Sequence, residues 1–347
     1  MSDVQQALHK LIGGEHLTQN EAAGVMTELM DGNATPAQIA ALLTALRIKG
    51  EVVDEFTGFA RVMRERSLRV TPTRAPLIDT CGTGGDALKT FNISTAAAFV
   101  AASGSVAVAK HGNRSVTSKC GSADVLEALG VNLNLSPEAV GRCIDEVGIG
   151  FLFARAHHPA MKHAAGPRFD LGFRTAFNAL GPLGNPAGAT RQLIGVYAPD
   201  LCPMLAKVLG NLGSEHVLVV HGVGGLDEIS TFGETIVAEL RNGETQTYLL
   251  TPAALGLPEA ASPEELSGAD DAAGNAALLL AVLEGEPGAR RDVVLANAGA
   301  ALYVAGVAPT LAEGVAQAAG LIDCGAARQK VEDLKRFTAQ AAEGGNA

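Results

Sequence analysis

Residues Pro76 to Ser103 read PLIDTCGTGGDALKTFNISTAAAFVAAS and carry the clearest indication of fold class in the sequence. Its opening "PLIDT" is an apolar run typical of a buried strand, and its closing "STAAAFVAAS" predicts a helix. Between them lie three glycines in four positions, followed at once by Asp86. Ligands of open α/β sheets bind beyond the carboxyl ends of strands, where glycines let backbone N–H groups approach an anion. The stretch therefore predicts a phosphate site, with Ser94 and Thr95 at the helix N-terminus.

Two familiar phosphate-binding motifs fit this stretch poorly. Residues 82–87 formally match the dinucleotide fingerprint G-x-G-x-x-A, but the predicted helix begins several residues too late. The next predicted strand ends in Lys110 instead of the acidic residue that would bind a ribose. The sequence also contains no G-x-x-x-x-G-K-[ST] loop. An ordinary glycine-rich turn is the structural alternative, and the pattern favours a phosphate site of another kind.

The chain after this stretch alternates short apolar runs with alanine-rich helical segments. The runs "VAVAK", "FLFA", "LIGVY" and "HVLVVHG" predict strands, and the alternation predicts that helices join parallel strands. The segment "IVAELRNGETQTYLL" differs, because two strand-like runs flank Asn242-Gly243 and predict a hairpin. After Lys335 the chain is polar and small, and we expect a frayed tail.

The first seventy or so residues predict helices only. A capping box begins at Thr18, and Thr35-Pro36 gives an N-cap followed by proline at the first helical position. The segment "SLRVTPTRAP" then brings charge and prolines without periodicity. We therefore predict an α/β protein with a small helical domain at 1–72, joined by helices near 170–185, and a larger domain with a mostly parallel sheet at 73–347.

Composition argues against several classes of protein. The chain has 347 residues and a formal net charge of -11, which disfavours a general nucleic-acid surface but leaves room for a local anion pocket. Its five cysteines form no Cys-x-x-Cys pair, so neither a disulfide framework nor a zinc site is expected. The N-terminus has no apolar signal core, and no apolar run is long enough to cross a bilayer. We expect a soluble, cytoplasmic protein that binds no membrane.

A second loop also follows a predicted strand and precedes a predicted helix. It begins "KHGNR" at Lys110 and continues "SVTSKCGSADVLEALG". Three cations and several hydroxyls in this loop would suit a polyphosphate. A solvated basic loop is the alternative.

In their order along the chain, "GTGGD", "TFNIST", "KHGNR" and "GSADVLEALG" resemble the anthranilate phosphoribosyltransferases of tryptophan biosynthesis. The segments from His158 to Pro186 and from Val220 to Ser230 extend the resemblance to nearly the whole chain. "GTGGD" with a lysine-bearing loop is also similar to pyrimidine nucleoside phosphorylases, but "KHGNR" and the segment around Arg168 favour the transferases.

The resemblance implies the phosphoribosyltransferase fold shared with nucleoside phosphorylases and a homodimer formed through the helical domain. The implied reaction joins anthranilate to 5-phosphoribosyl 1-diphosphate (PRPP), gives N-(5-phosphoribosyl)anthranilate and diphosphate, and requires Mg²⁺. The residues implied for the phosphoribosyl donor are Gly82, Gly84, Gly85, Asp86, Thr90, Asn92, Ser94, Thr95, Lys110, His111, Gly112, Asn113, Arg114, Ser115, Val116, Thr117, Ser118 and Ser122. Those implied for anthranilate are Gly82, Asn113 and Arg168, and those implied for magnesium are Ser94, Asp227 and Glu228.

The expected chemistry needs no general base. An aniline-type amine is neutral and nucleophilic at pH 7, so the main tasks are to stabilise the departing diphosphate and to orient the amine. For Arg168, an interdomain salt bridge is the alternative to binding the anthranilate carboxylate. Two other functions stay open at this point: another ribosyl-transferring enzyme of the same fold, and a non-catalytic relative that binds nucleic acid.

Overall fold

The structure is a computed structural model that describes residues 1–84, 88–115, 120–260 and 262–344. The first part of the chain folds into helices α1 (Asp3–Ile12), α2 (Gln19–Met30), α3 (Pro36–Lys49) and α4 (Val53–Glu65). The helix starts predicted at Thr18 and Thr35 are confirmed, since each side chain accepts a hydrogen bond from the third helical N–H within a capping box.

The seven strands form one sheet in the order β3-β2-β1-β4-β5-β6-β7. They are β1 (Leu77–Gly82), β2 (Ala107–Gly112), β3 (Ile149–Phe153), β4 (Arg191–Gly195), β5 (His216–Gly222), β6 (Thr235–Arg241) and β7 (Glu244–Leu250). Strands β1 to β5 pair in parallel, and β6 and β7 form the antiparallel hairpin predicted from Asn242-Gly243. Both turn residues have positive φ, which this dipeptide adopts readily.

The remaining helices cover the sheet or extend the helical part. They are α5 (Ile93–Ser103), α6 (Ser122–Ala128), α7 (Pro137–Val147), α8 (Ala154–His157), α9 (Lys162–Leu171), α10 (Ala176–Leu180), α11 (Leu201–Asn211), α12 (Ala272–Leu283), α13 (Ala289–Val304), α14 (Leu311–Asp323) and α15 (Ala326–Gly344). Helices α9 and α10 pack on α3, and α10 also packs on α4.

The expectation of a frayed tail after Lys335 is wrong. Helix α15 continues to Gly344. Thr338 is buried on it and accepts a hydrogen bond from the backbone N–H of Asn132, while Phe337 packs against the core of the sheet. These long-range contacts stabilise a segment whose composition alone suggested disorder.

Two large apolar clusters lie on opposite faces of the sheet. One joins α5 and α13 to side chains such as Leu193 and Leu218. The other continues from the helical bundle through α11 to Ile194, Val217 and Val219 on the opposite face. Successive side chains of a strand point to opposite faces of the sheet, so adjacent residues of β4 and β5 belong to different clusters.

Candidate active site

The strand order reverses between β1 and β4, and the crevice beyond their carboxyl ends is where ligands of such sheets bind. Each of these strands ends in a glycine, and both glycines make room for Asp227. A Cβ atom at Gly82 would lie 2.6 Å from Oδ2 of Asp227, and one at Gly195 would collide with its backbone carbonyl oxygen. Gly82 therefore leaves space for the carboxylate of Asp227, and Gly195 leaves space for its backbone.

Asp227 and its neighbour Glu228 are held by backbone N–H groups of the predicted phosphate site. Gly84 donates a hydrogen bond of 2.8 Å to Oδ2 of Asp227, and Ser94 donates one of 3.1 Å to Oε1 of Glu228. Both acids are buried, at 7% and 8% exposure. Since Ser94 lies in the first turn of α5, the helix dipole also favours the negative charge of Glu228. These bonds place the described part of the glycine loop, the N-terminus of α5 and the acidic pair beside one another.

The start of α5 carries polar atoms that no partner satisfies. Among the described residues, Oδ1 of Asn92 and Oγ1 of Thr95 are buried without a hydrogen bond, although the amide of Asn92 donates to the carbonyl of Cys120. Thr90, just upstream, forms an isolated antiparallel bridge with Ser267. Buried polar atoms without partners are uncommon, so this edge of the crevice suits a polar ligand.

Lys110, His111 and Gly112 belong to strand β2, which corrects the expectation that the donor loop begins at Lys110. The Lys110 side chain is 1% exposed, and its Nζ donates to the carbonyl oxygen of Thr80 and, at 3.4 Å, to Oγ of Ser94. Burial lowers the pKa of Lys110, while the negative charge of Asp79 acts against that shift. Because Lys110 is part of β2, its ammonium group lies beneath the N-terminus of α5.

Asp79 links strands β1 and β2 by hydrogen bonds beneath the crevice. It accepts hydrogen bonds from the backbone N–H of His111 at 3.0 Å and from the amide of Asn185 at 2.8 Å. The same amide donates to the carbonyl of Ala109, so it links β1 and β2 to the segment after α10. Burial raises the pKa of Asp79, and Lys110 opposes that rise.

The residues after β2 contact the first turn of α6. Asn113 and Ser122 are joined, since the backbone N–H of Asn113 donates to Oγ of Ser122, which donates back to its carbonyl. A Cβ at Gly112 would collide with that hydroxyl. These three predicted site residues therefore lie together.

Arg114 points its guanidinium at acids of α6 instead of an open pocket. It pairs with Asp124 at 2.9 Å and with Glu127 at 2.6 Å. Both contacts raise the pKa of Arg114. The backbone N–H of Ser115 also donates to Asp124.

His111 faces a second buried histidine. Its ring centroid lies 5.3 Å from that of His158, in an edge-to-face arrangement. Burial, reinforced by the neighbouring histidines, holds the pKa of His111 well below its usual range and lowers that of His158 to about 4. Both imidazoles are therefore neutral at pH 7, which makes either one a weak base.

Arg168 lies in α9, and its chain continues helically through Pro167. Its guanidinium stands 5.9 Å from the ring of Phe177, which itself packs edge-to-face on Phe59. Within the described ranges it makes no ion pair, so the alternative of an interdomain salt bridge is not found. Burial lowers its pKa. A partly buried cation over aromatic rings suits a planar carboxylate ligand.

Five predicted donor residues lie outside the described residues, namely Gly85, Asp86, Val116, Thr117 and Ser118. Other residues of the site were not predicted from the sequence. Gly195, Asp79, Asn185 and Asn297 all support the crevice through contacts distant in the chain. Only the glycine that ends "LIG" offered a signal, because a glycine at a strand end indicates a close backbone approach.

The acidic pair fits magnesium. Buried carboxylates fixed by backbone N–H groups are hard oxygen donors of the kind Mg²⁺ prefers, and Mg²⁺ usually binds through one or two carboxylates plus substrate phosphates. In the parts of the chain that the structure describes, no three His, Cys, Asp or Glu side chains converge as a complete metal site. Oxygens of a substrate would therefore have to complete the coordination.

Comparisons with known proteins identify the family. Residues 5–67 match the profile "Glycosyl transferase family, helical bundle domain", and residues 74–328 match "Glycosyl transferase family, a/b domain". The chain is 55% identical over 335 residues to the anthranilate phosphoribosyltransferase of Pelotomaculum thermopropionicum, covering 96% of each chain. It is 57% identical over 331 residues to that of Symbiobacterium thermophilum, covering 95% of this chain and 96% of the relative. The chain belongs to the anthranilate phosphoribosyltransferase family.

Solved structures of the family agree with this membership. The crystal structure of the enzyme from Thermus thermophilus is 46% identical, has a TM-score of 0.92 and covers 98% of this chain and 100% of its own. The enzyme from Saccharomyces cerevisiae in complex with PRPP and Mg is 27% identical, has a TM-score of 0.86 and covers 97% and 98%. The predicted family, fold class and function, a phosphoribosyltransferase of tryptophan biosynthesis, are confirmed.

Proposed function

We propose that the chain transfers the phosphoribosyl group of PRPP to the amine of anthranilate in the crevice beyond β1 and β4, and that Asp227 and Glu228 organise its donor side. The observation that carries this proposal is the pair of backbone hydrogen bonds that fixes the two acids against the glycine loop and α5. These bonds bring together three of the sequence segments that carry the family resemblance.

On the donor side, the chain's own groups bind and orient PRPP. The oxygens of Asn92 and Thr95 at the start of α5 are buried without a hydrogen bond, and with the hydroxyl of Ser122 they would provide polar contacts for ribose and phosphate. Lys110 contributes positive charge from beneath Ser94 without needing to touch the donor. Groups fixed before the substrate arrives stabilise developing charge at little cost in reorganisation.

Asp227 and Glu228, with the nearby Ser94 hydroxyl, would hold magnesium. When bound, the ion supplies positive charge to the diphosphate oxygens. The structure of the yeast enzyme in complex with PRPP and Mg supports magnesium binding at the donor site.

On the acceptor side, Arg168 would bind the carboxylate of anthranilate and Asn113 would lie near its ring. The Arg168 guanidinium has aromatic support from Phe177 and no competing ion pair in the described parts of the chain. A structure of the yeast enzyme in complex with 4-fluoroanthranilate supports an aromatic acceptor of this kind.

No general base is assigned. The aromatic amine attacks the anomeric carbon as the bond to diphosphate breaks, and its proton is lost afterwards from the resulting ammonium. The lowered pKa of His111 agrees with this assignment, because burial makes that imidazole a poor proton acceptor.

The experiment is a fluorescence assay for phosphoribosylanthranilate with purified protein, PRPP, anthranilate and Mg²⁺. We expect turnover with all four components and none when Mg²⁺ is chelated. Phosphorolysis of pyrimidine nucleosides, with no product from anthranilate, would instead favour the related phosphorylases.

A homodimer formed through the helical domain is also proposed. Three large apolar side chains on its packed helices are strongly exposed: Ile12 at 78%, Ile48 at 82% and Phe169 at 84%. Light scattering after size exclusion should give twice the chain mass, and Ile48→Asp should shift the measured mass toward that of the monomer.

Among the described residues, no helix is long and apolar enough to cross a bilayer. A cytoplasmic location stays a proposal that fractionation of cells would test.

A further inference from the structure

Asn297, in the middle of α13, is completely buried and lies outside the motifs of the donor and acceptor sites. Its Oδ1 accepts a hydrogen bond of 3.0 Å from the backbone N–H of Ile229, and its Nδ2 donates one of 3.1 Å to the carbonyl of the same residue. Nδ2 also donates to the carbonyl of Val293 at 2.9 Å. The amide therefore pairs with Ile229 as a neighbouring strand would.

These contacts fix the orientation of the amide. A reversed side chain would turn its oxygen toward two carbonyl groups and its NH₂ toward an N–H donor. Both amide protons are already used, so Asn297 has no donor left for a substrate. Its influence on the reaction must therefore pass through the backbone of Ile229.

Ile229 directly follows the acidic pair, and the same short segment is held at its other end by β5. Gly222 and Leu226 exchange two backbone hydrogen bonds, of 2.8 and 3.2 Å. Asp227 and Glu228 thus occupy the two positions between a backbone bridge at Leu226 and the Asn297 contact at Ile229. Their carboxylates then reach the N–H groups of Gly84 and Ser94.

We propose that Asn297 is a positioning residue that sets the backbone of Asp227 and Glu228 and thereby the affinity of the donor site for Mg²⁺ with PRPP. This inference rests on the proposed metal role of the two acids. Residues that orient metal ligands from the second layer typically change metal affinity ten- to a hundredfold when they are removed. A purely structural role would lower stability and leave that affinity unchanged.

The test compares Asn297→Ala with Val304→Ala, which removes buried apolar volume near the end of the same helix. Three quantities are measured: the Mg²⁺ concentration for half-maximal rate at saturating PRPP, the affinity for PRPP with Mg²⁺ by calorimetry without anthranilate, and, for reference, the Michaelis constant for anthranilate. We expect Asn297→Ala to raise the Mg²⁺ concentration for half-maximal rate and to weaken the affinity for PRPP, each about tenfold or more. The Michaelis constant for anthranilate at saturating Mg²⁺ should change less than about twofold. Val304→Ala should lower the melting temperature and leave all three unchanged.

A folded Asn297→Ala variant with the wild-type Mg²⁺ requirement and PRPP affinity would overturn the proposal. If that variant does not fold, Asn297→Ser decides by the same measurements, since a short hydroxyl brings no buried charge against the carbonyls of Ile229 and Val293. The double variant Asp227→Asn with Glu228→Gln is measured in parallel. If its Mg²⁺ requirement is unchanged, the metal assignment fails and the Asn297 proposal falls with it. If it changes and that of the Asn297 variants does not, only the Asn297 proposal fails.

Discussion

The donor and acceptor sides of the crevice are held in different ways. On the donor side, Asp227 and Glu228 are buried and each accepts a hydrogen bond from a backbone N–H. On the acceptor side, Arg168 has aromatic support and no ion pair among the described residues. The difference indicates that the proposed donor site is set before substrate binds, whereas Arg168 would gain a polar partner only if it binds anthranilate as proposed.

The largest effect is expected from the acidic pair. Asp227→Asn with Glu228→Gln keeps the shape of both side chains but removes the charge proposed to hold magnesium. We expect kcat to fall on the order of 10³-fold or more, since loss of even one charge-stabilising contact at an active site costs about 10²–10³-fold. Steady-state rates across a range of Mg²⁺ measure this. Full turnover at ordinary Mg²⁺ would show that the fixed acids serve only the fold.

The acceptor side should respond through binding. Arg168→Ala removes a charge-assisted contact worth about 1.5–3 kcal/mol, so the Michaelis constant for anthranilate should rise about ten- to a hundredfold. The constant for PRPP should stay nearly unchanged. A folded variant with normal anthranilate kinetics would contradict the carboxylate assignment and remove the contrast between the two sides.

The buried side chain of His158 predicts a pH dependence of stability. Burial lowers the pKa of His158 from an ordinary 6.5 to about 4, so the unfolded chain binds a proton there that the folded chain does not. Its contribution to stability is present above about pH 6.5 and is lost as the pH falls toward 4, amounting to about 2 kcal/mol by pH 5.

His158→Gln should therefore show a shallower loss of melting temperature between pH 6.5 and 5 than the wild type. His9→Gln is the control, because His9 is exposed on α1. If the melting temperature falls equally with pH in the wild type and in both variants, His158 is solvated in solution and the prediction is wrong.

The smallest effect concerns Arg114, whose guanidinium is paired with Asp124 and Glu127. Partly exposed ion pairs contribute little, so Arg114→Ala should raise the Michaelis constant for PRPP only about two- to fivefold. Arg142→Ala, at another exposed arginine, should leave it unchanged. A loss above a hundredfold would show that Arg114 leaves these acids to bind phosphate, and the donor side would then be less fixed than its hydrogen bonds suggest.

The sequence predicted features that depend on neighbouring residues. The helix starts at Thr18 and Thr35 and the hairpin at Asn242-Gly243 follow from chemistry within four positions, and all three are confirmed. The acidic pair was predicted from the family resemblance instead of from neighbouring residues, and its role in binding metal stays a prediction.

What the sequence could not predict depends on packing across the chain. Lys110 was expected to end a strand and to begin the donor loop. Its side chain instead lies buried within the sheet, where the carbonyl of Thr80 and the charge of Asp79 compensate its burial. Asn297 is 68 residues from its partner Ile229, and no local pattern distinguishes it from a surface asparagine.

The apolar cluster that runs from the helical bundle through α11 to the sheet has a consequence for dissecting the protein. The predicted halves, 1–72 and 73–347, share this cluster, so a cut between them would leave Ile194, Val217 and Val219 without part of their cover. We expect the two fragments to be insoluble when produced separately and to recover activity when produced together. An inserted protease site in the 67–76 segment should likewise yield a nicked protein that stays associated until it is denatured.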